Sequence, residues 1–251
     1  FPASASTVLS LDRAYTNSLG MRFVPVGGVD ALFGVWETRR RDYEAYANAV
    51  SGVDASWRDV EYDGEPVGHG SDHPVVSVSW EDARDFCAWL TEKERVEGRI
   101  GARDRYRLPT DREWSAAVGL PYESGSTPKD RDGKNNSHYP WGGRYPPPNG
   151  SGNYADAVAG REFGWSFAID SLNDGYATTA PVGSFRSTSE GLYDLGGNVW
   201  EWCEDRYNSD GEYRVLRGGS GTSTIVSVCC RRAVTTSRLP IVTASSVFVV
   251  C

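Results

Sequence analysis

The last 31 residues, GTSTIVSVCCRRAVTTSRLPIVTASSVFVVC, contain no Asp, Glu, Lys, Asn, Gln, His, Trp or Tyr, although 34 acidic residues are spread over the 251 of the chain. What remains is a reduced alphabet led by seven Val, five Thr and five Ser. Other absences bound the function. No apolar run approaches the ~18 residues that a membrane-spanning helix needs. Basic residues number 26 against the 34 acids, giving a net charge of -8 and a pI near 5.0. That excludes a nucleic-acid binder working by phosphate neutralisation, and adhesion to an anionic membrane surface. The five cysteines are odd in number and form no CxxC, so neither a disulfide framework nor a zinc ribbon is indicated. Cys87 sits among apolar residues and reads as a buried thiol. Cys229 and Cys230 are adjacent, so on a strand they would point to opposite faces and make a poor redox pair. Only His69, His73 and His138 are present, all in loop-like sequence, and no GxSxG occurs. No signal peptide is visible. The chain opens on Phe1 rather than Met, and the expectation is that an N-terminal segment has been removed.

What is present points to one loop-rich α+β domain. The length allows one large domain or two small ones, and no repeat, linker or low-complexity segment divides it. Nine Trp, 13 Tyr and 28 Gly suit short strands and many turns rather than a helix bundle. Residues 1–20 are polar and read as a loose arm before the domain at 21–251. MRFVPVGG alternates around Phe23 and predicts a strand. WETRRRDYEAYANAV predicts a helix with Thr38 as N-cap and Tyr43, Tyr46 and Ala47 on one face. Residues 51–73 read as loop. Ser79 with Asp82, and Thr110 with Glu113, are two capping boxes. Behind the first, Trp80, Ala83, Phe86, Cys87 and Leu90 recur at helical spacing, and behind the second Trp114, Ala117 and Val118 do so. Residues 119–180 read as a long aromatic loop, a kind that is functional or tied down. Short strands are expected from APVGSF onward.

Two places offer oxygen ligands. GLYDLGGNVWEWCED holds Asp194 and Glu201 around a Gly-Gly turn, where outward carbonyls and two carboxylates could complete the cage that Ca²⁺ prefers. The competing reading is a hairpin whose Trp200 and Trp202 pack in the core while the acids face water. GNYADA and LNDGYATTAP offer Asn153 and Asp174, which a cation could fix or which could be ordinary turn residues.

In order along the chain, MRFVPV, ETRRRDYEAY, HPVVSVSWEDARDFCAWL, RYRLPTDREWSAAV, YPWG, GLYDLGGNVWEW and RVLRGGS resemble the formylglycine-generating-enzyme (sulfatase-modifying factor) family over roughly residues 20–220. The resemblance implies a C-type-lectin-like fold in which the termini pair and the C-terminal strands carry the site. It also implies structural calcium held by Asn153, the Tyr154 carbonyl, Asp174 and the Tyr176 carbonyl. A second calcium falls to Asp194, the Gly197 and Val199 carbonyls and Glu201. The departure lies in the closing tract. Family enzymes carry two copper-binding cysteines soon after RGGS. Here the matching positions are Ser223 and Val228, and a Ser hydroxyl cannot supply the soft thiolate that Cu(I) needs. No redox cofactor is therefore expected. Gly221 stands where relatives have Trp, and VFVV where they end in Gly-Phe-Arg.

A scaffold of this kind with a rewritten end resembles the variable proteins of diversity-generating retroelements, the treponemal kind among them. Those elements randomise template adenines, so Asn codons become any residue sharing their third base. All 31 residues after Ser220 belong to that set. Asn, Asp, His and Tyr belong to it too and are absent. The resemblance leaves Cys230, Arg231, Ala233, Pro240 and Phe248 as framework. Thr222, Ser223, Thr224, Val226, Ser227, Arg232, Val234, Thr236, Ser237, Leu239, Ile241 and Val242 become the diversified, ligand-facing positions of a variable region at 221–251. Part of the tract, such as Val247 to Val250, reads instead as a buried closing strand. The function implied is a non-enzymatic, monomeric binding protein whose ligand is a protein surface, because a shallow neutral site must draw its affinity from area and a few anchors. The protein type implies a surface-displayed outer-membrane lipoprotein whose signal segment is absent from this chain. The alternatives are a copper-dependent oxidase of the formylglycine-generating class and a related non-haem iron enzyme, which would need more His than the three present.

Overall fold

The computed structural model describes residues 9–120, 123–132, 138–143, 145–209, 211 and 213–221, and the backbone of three short strands beyond them. Two small sheets organise it. The first runs β1 (Tyr15–Thr16), β2 (Arg22–Pro25), β3 (Leu32–Gly34), β11 (Val249–Val250), β6 (Tyr106–Arg107) in spatial order. The second runs β10 (Ala244–Ser245), β7 (Trp200–Arg206), β8 (Tyr213–Gly218), β9 (Arg231–Val234). A hairpin of β4 (Glu61–Tyr62) and β5 (Glu65–Pro66) stands apart. The N-terminal strands and β11 share a sheet, but β11 pairs with β3 and β6 rather than with β1.

Both capping boxes form as the sequence predicts. Ser79 Oγ accepts from Asp82 N at 3.1 Å, and Asp82 Oδ2 accepts from Ser79 N at 2.9 Å. They start α2 (Trp80–Val96), whose predicted apolar face is buried throughout. Thr110 and Glu113 exchange the same pair of bonds, at 3.2 and 2.7 Å, at the head of α3 (Asp111–Ala117). The cap of α1 (Arg40–Ala49) is different from expectation: Arg39, not Thr38, holds the N-cap position. The Asp42 carboxylate accepts the Arg39 N–H at 3.1 Å and its guanidinium at 2.8 and 2.9 Å, so a buried acid in the first turn ties down the N-cap residue.

Three segments read as irregular carry structure. The 51–73 loop contains the β4–β5 hairpin. The 119–180 stretch contains α4 (Pro128–Arg131) and α5 (Ala157–Phe163), the latter capped by Asp156 and closed by Gly164 in the left-handed region at φ 67°. The polar arm is tied down from residue 9 onward. Leu9 N donates to Asp104, the Tyr15 hydroxyl donates to the buried Glu94 at 2.7 Å, and β1 pairs with β2. Residues 1–8 lie outside the described residues. No strand appears between APVGSF and Trp200.

β7 and β8 separate two apolar clusters. Trp200, Trp202 and Leu216 pack with α1 and α2, while Cys203 and Val215 pack with Trp114, Phe33 and Leu195. Cys87 is a buried free thiol as expected, and burial pushes its pKa well up. The second cluster is closed by a buried ionic quartet. Arg217 Nε donates to Asp111 Oδ1 at 2.5 Å, and its Nη2 donates to Glu123 at 2.8 Å and to Ser115 Oγ at 2.9 Å. Arg131 donates to the other Asp111 oxygen, with Nε at 2.9 Å. Burial works to raise the Asp111 carboxyl, and Arg217 and Arg131 more than offset it, so it titrates below the usual range. Removing one member of such a group strands the others, at about 3–5 kcal/mol. Arg217→Met should therefore lower the unfolding free energy measured by urea denaturation by that order. Arg84→Ala, which breaks the half-exposed pair with Asp85, should move it by less than about 1 kcal/mol. Equal effects would show that the quartet adds nothing.

Candidate functional site

The turn between the two apolar clusters carries the chemistry singled out in the sequence. Asp194 and Asn198 both adopt left-handed backbone, at φ 65° and 63°, and Gly197 N bonds back to the Asp194 carbonyl at 3.0 Å. Gly197 is required by proximity: a Cβ there would sit 2.5 Å from the Asn153 carbonyl oxygen. Asn198 is the hub. Its Nδ2 donates to Glu37 Oε2 at 2.7 Å, its Oδ1 accepts from Ala180 N at 2.9 Å, and its N donates to Asn153 O at 2.9 Å. Glu37 Oε1 accepts from Val199 N at 3.1 Å. Sequence reasoning missed both residues. Glu37 lies 161 positions from Asn198, and nothing local in VWETRRR marks a buried acid.

Trp200 and Trp202 pack in the core, but the acids do not face water. Glu201 is fully buried and Asp194 is 6% exposed. Alternation along β7 explains this: the two Trp take one face, and Glu201 takes the face of Trp114, whose Nε1 donates to Glu201 Oε2. Asp194 Oδ2 accepts from Gly183 N at 2.7 Å. The second oxygens, Asp194 Oδ1 and Glu201 Oε1, are buried and have no hydrogen-bond partner. Among the described residues, no Lys or Arg pairs with Glu37, Asp194 or Glu201. Burial raises Asp194 to about 7 and Glu201 to about 8, and the Asp194 charge adds to the latter. Burial also pushes Glu37 well up, reinforced by the charges of Asp194 and Glu201. Unpaired buried oxygens and unneutralised buried carboxyls are costly. The donor set, hard oxygens only, suits a hard cation.

The second predicted set is also brought together, in a different state. Asp174 Oδ2 accepts from Tyr154 N at 2.8 Å, and its Oδ1 accepts from Tyr176 N at 2.9 Å and from Asn153 Nδ2 at 3.3 Å. Its oxygens thus serve turn bonds. Burial still raises its carboxyl to about 6. Asn153 Oδ1 is buried without a partner. Among the described residues, no three His, Cys, Asp or Glu side chains converge as ligands of one ion. Any cage here would draw on carbonyls and Asn as well. His69 and His73 are engaged instead with the Val60 carbonyl and the Thr179 hydroxyl.

Both sets meet at the first residue of the closing tract. Gly221 N donates to the Asn198 carbonyl at 3.0 Å, and a Cβ on Gly221 would come within 2.0 Å of Asn153 Oδ1 and 2.1 Å of Thr178 O. In this conformation there is no room for a side chain at position 221.

Of the predicted variable positions, Arg232 and Val234 lie in β9. Register sets them opposite Val215 and Tyr213, while Arg231 and Ala233 stand opposite Leu216 and Arg214. Thr222, Ser223, Thr224, Val226, Ser227, Thr236, Ser237, Leu239, Ile241 and Val242 lie outside the described residues. So do Val228, Cys229, Cys230, Pro240, Val247, Phe248 and Cys251. No helix among the described residues is long and apolar enough to cross a membrane.

The chain is 34% identical over 188 residues to the inactive Cα-formylglycine-generating enzyme 2 of Bos taurus, covering 74% of this chain and 50% of that protein. It is 33% identical over 159 residues to the formylglycine-generating enzyme of Thermomonospora curvata, covering 62% and 41%. It spans about half the length of the curated relatives it matches. Among solved structures, Treponema denticola variable protein 1 superposes with a TM-score of 0.53 at 18% identity, covering 97% of this chain and 99% of that one, a likeness of fold. The sulfatase-modifying factor enzyme 1-like domain model matches residues 16–242. With the motifs, the loop-rich α+β fold and that match in agreement, the chain belongs to the family of sulfatase-modifying factor enzyme 1-like domains.

Proposed function

We propose that the protein binds a ligand, most simply the surface of another protein, through a diversified closing tract held on a cation-braced scaffold. The observation that carries this reading is the tract itself: 31 residues confined to the Asn-codon set, following an intact family core. The likeness of fold to a variable protein and the match to a family member named inactive support it. Display at the cell surface as a monomeric lipoprotein belongs to the same proposal. Active enzymes also match, so a copper-dependent oxidase is the competing reading. Turnover of a cysteine-containing peptide with copper would replace the binding reading.

The cation reading rests on the three orphaned oxygens of Asn153, Asp194 and Glu201. Asp194 and Glu201 would hold one Ca²⁺ with the Gly197 and Val199 carbonyls. Asn153 and Asp174 would hold another with the Tyr154 and Tyr176 carbonyls. The role is structural, neutralising buried carboxylates and fixing loops. In the metal-free protein the folded carboxyls of Asp194 and Glu201 titrate at about 7 and about 8, against 3.8 and 4.5 normally. Between those limits the folded state holds protons that the unfolded chain has released, so stability falls as pH rises, by about 1.4 kcal/mol per pH unit per proton. In chelator, melting temperature should drop from about pH 5 to about pH 8, the range of that linkage. Added Ca²⁺, which favours the ionised forms, should remove most of the slope, and Glu201→Ala should abolish the part of the Ca²⁺ effect that comes from the Asp194 site. Identical melting of the parent with Ca²⁺ and with chelator at the upper pH would overturn the cation reading.

Tolerance of the tract is the second test. Replacing Ser223, Thr224, Val234, Thr236 and Leu239 together by Asn should leave melting nearly unchanged, because exposed substitutions cost within about 0.5 kcal/mol each. If Val247 to Val250 form the buried closing strand expected from the sequence, Val247→Asn should cost about 1–3 kcal/mol by burying an unpaired amide. If both sets destabilise alike, the tract is ordinary core and diversification fails.

A further inference from the structure

Four aromatic rings form a patch that the packing of the protein does not explain. Tyr62 of β4 meets Phe163, at the end of α5, edge-on with ring centroids 4.9 Å apart, and lies 5.5 Å from Trp165. Phe163 and Trp165 are 4.8 Å apart, and Trp165 stacks on Phe167 at 5.1 Å and 20°. Two segments a hundred residues apart thus build one contiguous surface. Only Tyr62 belongs to an apolar cluster, packing against Val67, Val76 and Val199. Phe163, Trp165 and Phe167 join none, and Phe167 is 53% exposed. Tyr62, Phe163 and Trp165 are half-buried, and a contiguous, partly exposed aromatic patch rimmed by polar residues marks an interaction site more often than a single exposed ring does.

The rim is acidic. In the hairpin register Tyr62 stands directly opposite Glu65, so the two share a face. Asp63 occupies the turn at φ 51°, and Glu162 precedes Phe163. Glu61, Asp63, Glu65 and Glu162 are exposed, and none carries an ion pair or side-chain hydrogen bond among the described residues. Over residues 60–66 and 160–170 five acids stand against one cation, Arg161. Ring faces carry negative electrostatic potential, and free carboxylates beside them add to it. The surface is complementary to a side-chain cation with a flat apolar face, which is the guanidinium group.

We propose that Tyr62, Phe163, Trp165 and Phe167 form a docking face for an arginine-bearing peptide segment of a partner protein, with Glu65 and Glu162 as its charge partners. This face is built from residues outside the closing tract, and its hairpin is linked through Thr178 to the first residue of that tract. The Thr178 hydroxyl donates to the Pro66 carbonyl of the hairpin at 2.9 Å, and the Thr178 carbonyl lies beside Gly221.

The test uses dye-labelled hexa-arginine and hexa-glutamine peptides, followed by fluorescence anisotropy at physiological salt. Hexa-arginine should bind and hexa-glutamine should not. Trp165→Ala with Phe167→Ala should weaken binding at least about ten-fold, the scale of one or two cation–π contacts. Glu65→Gln should weaken it severalfold with the melting temperature unchanged. Phe167→Ala alone, at an exposed position, serves if the double variant melts early. The variant with Asn at the five tract positions should bind hexa-arginine like the parent, which separates this face from the tract. Failure of the parent to bind overturns the proposal. So does unchanged affinity in the aromatic variants, because binding would then be diffuse attraction to an acidic chain.

Discussion

Three carboxyl groups share one dry turn, and much of the architecture follows from satisfying them. Glu37 arrives from the loop before α1, Asp194 from the turn itself, and Glu201 from the first residues of β7. Each receives one or two hydrogen bonds, from Asn198, Val199, Gly183 or Trp114, and two of them keep an orphan oxygen. These bonds tie segments from the beginning, middle and end of the chain to a single point. A carboxyl raised by burial is a destabilising element unless it stays protonated or meets positive charge. That condition links the stability of the turn to pH and to cations.

The buried Arg217 quartet solves the same problem by another route. Asp111 sits in the first turn of α3 and receives two guanidinium groups, and its carboxyl is held below the normal range rather than above it. The contrast is instructive because both acid groups are almost fully excluded from water. The protein supplies its own cations on one side of Trp114 and none, among the described residues, on the other. Arg217 and Glu201 are register partners on β7 and β8, so the two arrangements sit side by side on one hairpin, immediately before Gly218 and the closing tract.

That placement gives the end of the chain a firm footing. Gly221 is bonded to Asn198 and wedged against Asn153 and Thr178, β9 extends the second sheet, and β11 fills a central place in the first. The tract is thus entered from Gly221 in this turn and ends on a strand paired on both sides, with β3 and β6. The aromatic face of Tyr62, Phe163, Trp165 and Phe167 is built from other segments of the chain.

Local periodicity and short-range hydrogen bonding were legible in the sequence. The Ser79 and Thr110 boxes, the buried face of α2 and the strand around Phe23 depend on partners within four residues or on a repeat, and they stand as predicted. Asp156 and Gly164, a cap and a left-handed stop around α5, were equally local signals inside a stretch read as loop. The Asp194 and Glu201 pairing was legible through motif order and a Gly-Gly turn. By itself the sequence determined the family, the loop-rich α+β class, the candidate ligand residues and the odd alphabet of the last 31 positions. Only the tertiary structure decided that Glu37 and Asn198 are the hub and that Arg39 with Asp42 displaces Thr38 as the cap. It also decided that both acids are buried and which of their oxygens lack partners, and it joined rings a hundred residues apart on one face. The physical reason is that burial and unmet hydrogen bonds are properties of neighbours in space, and these neighbours lie up to 162 positions apart along the chain.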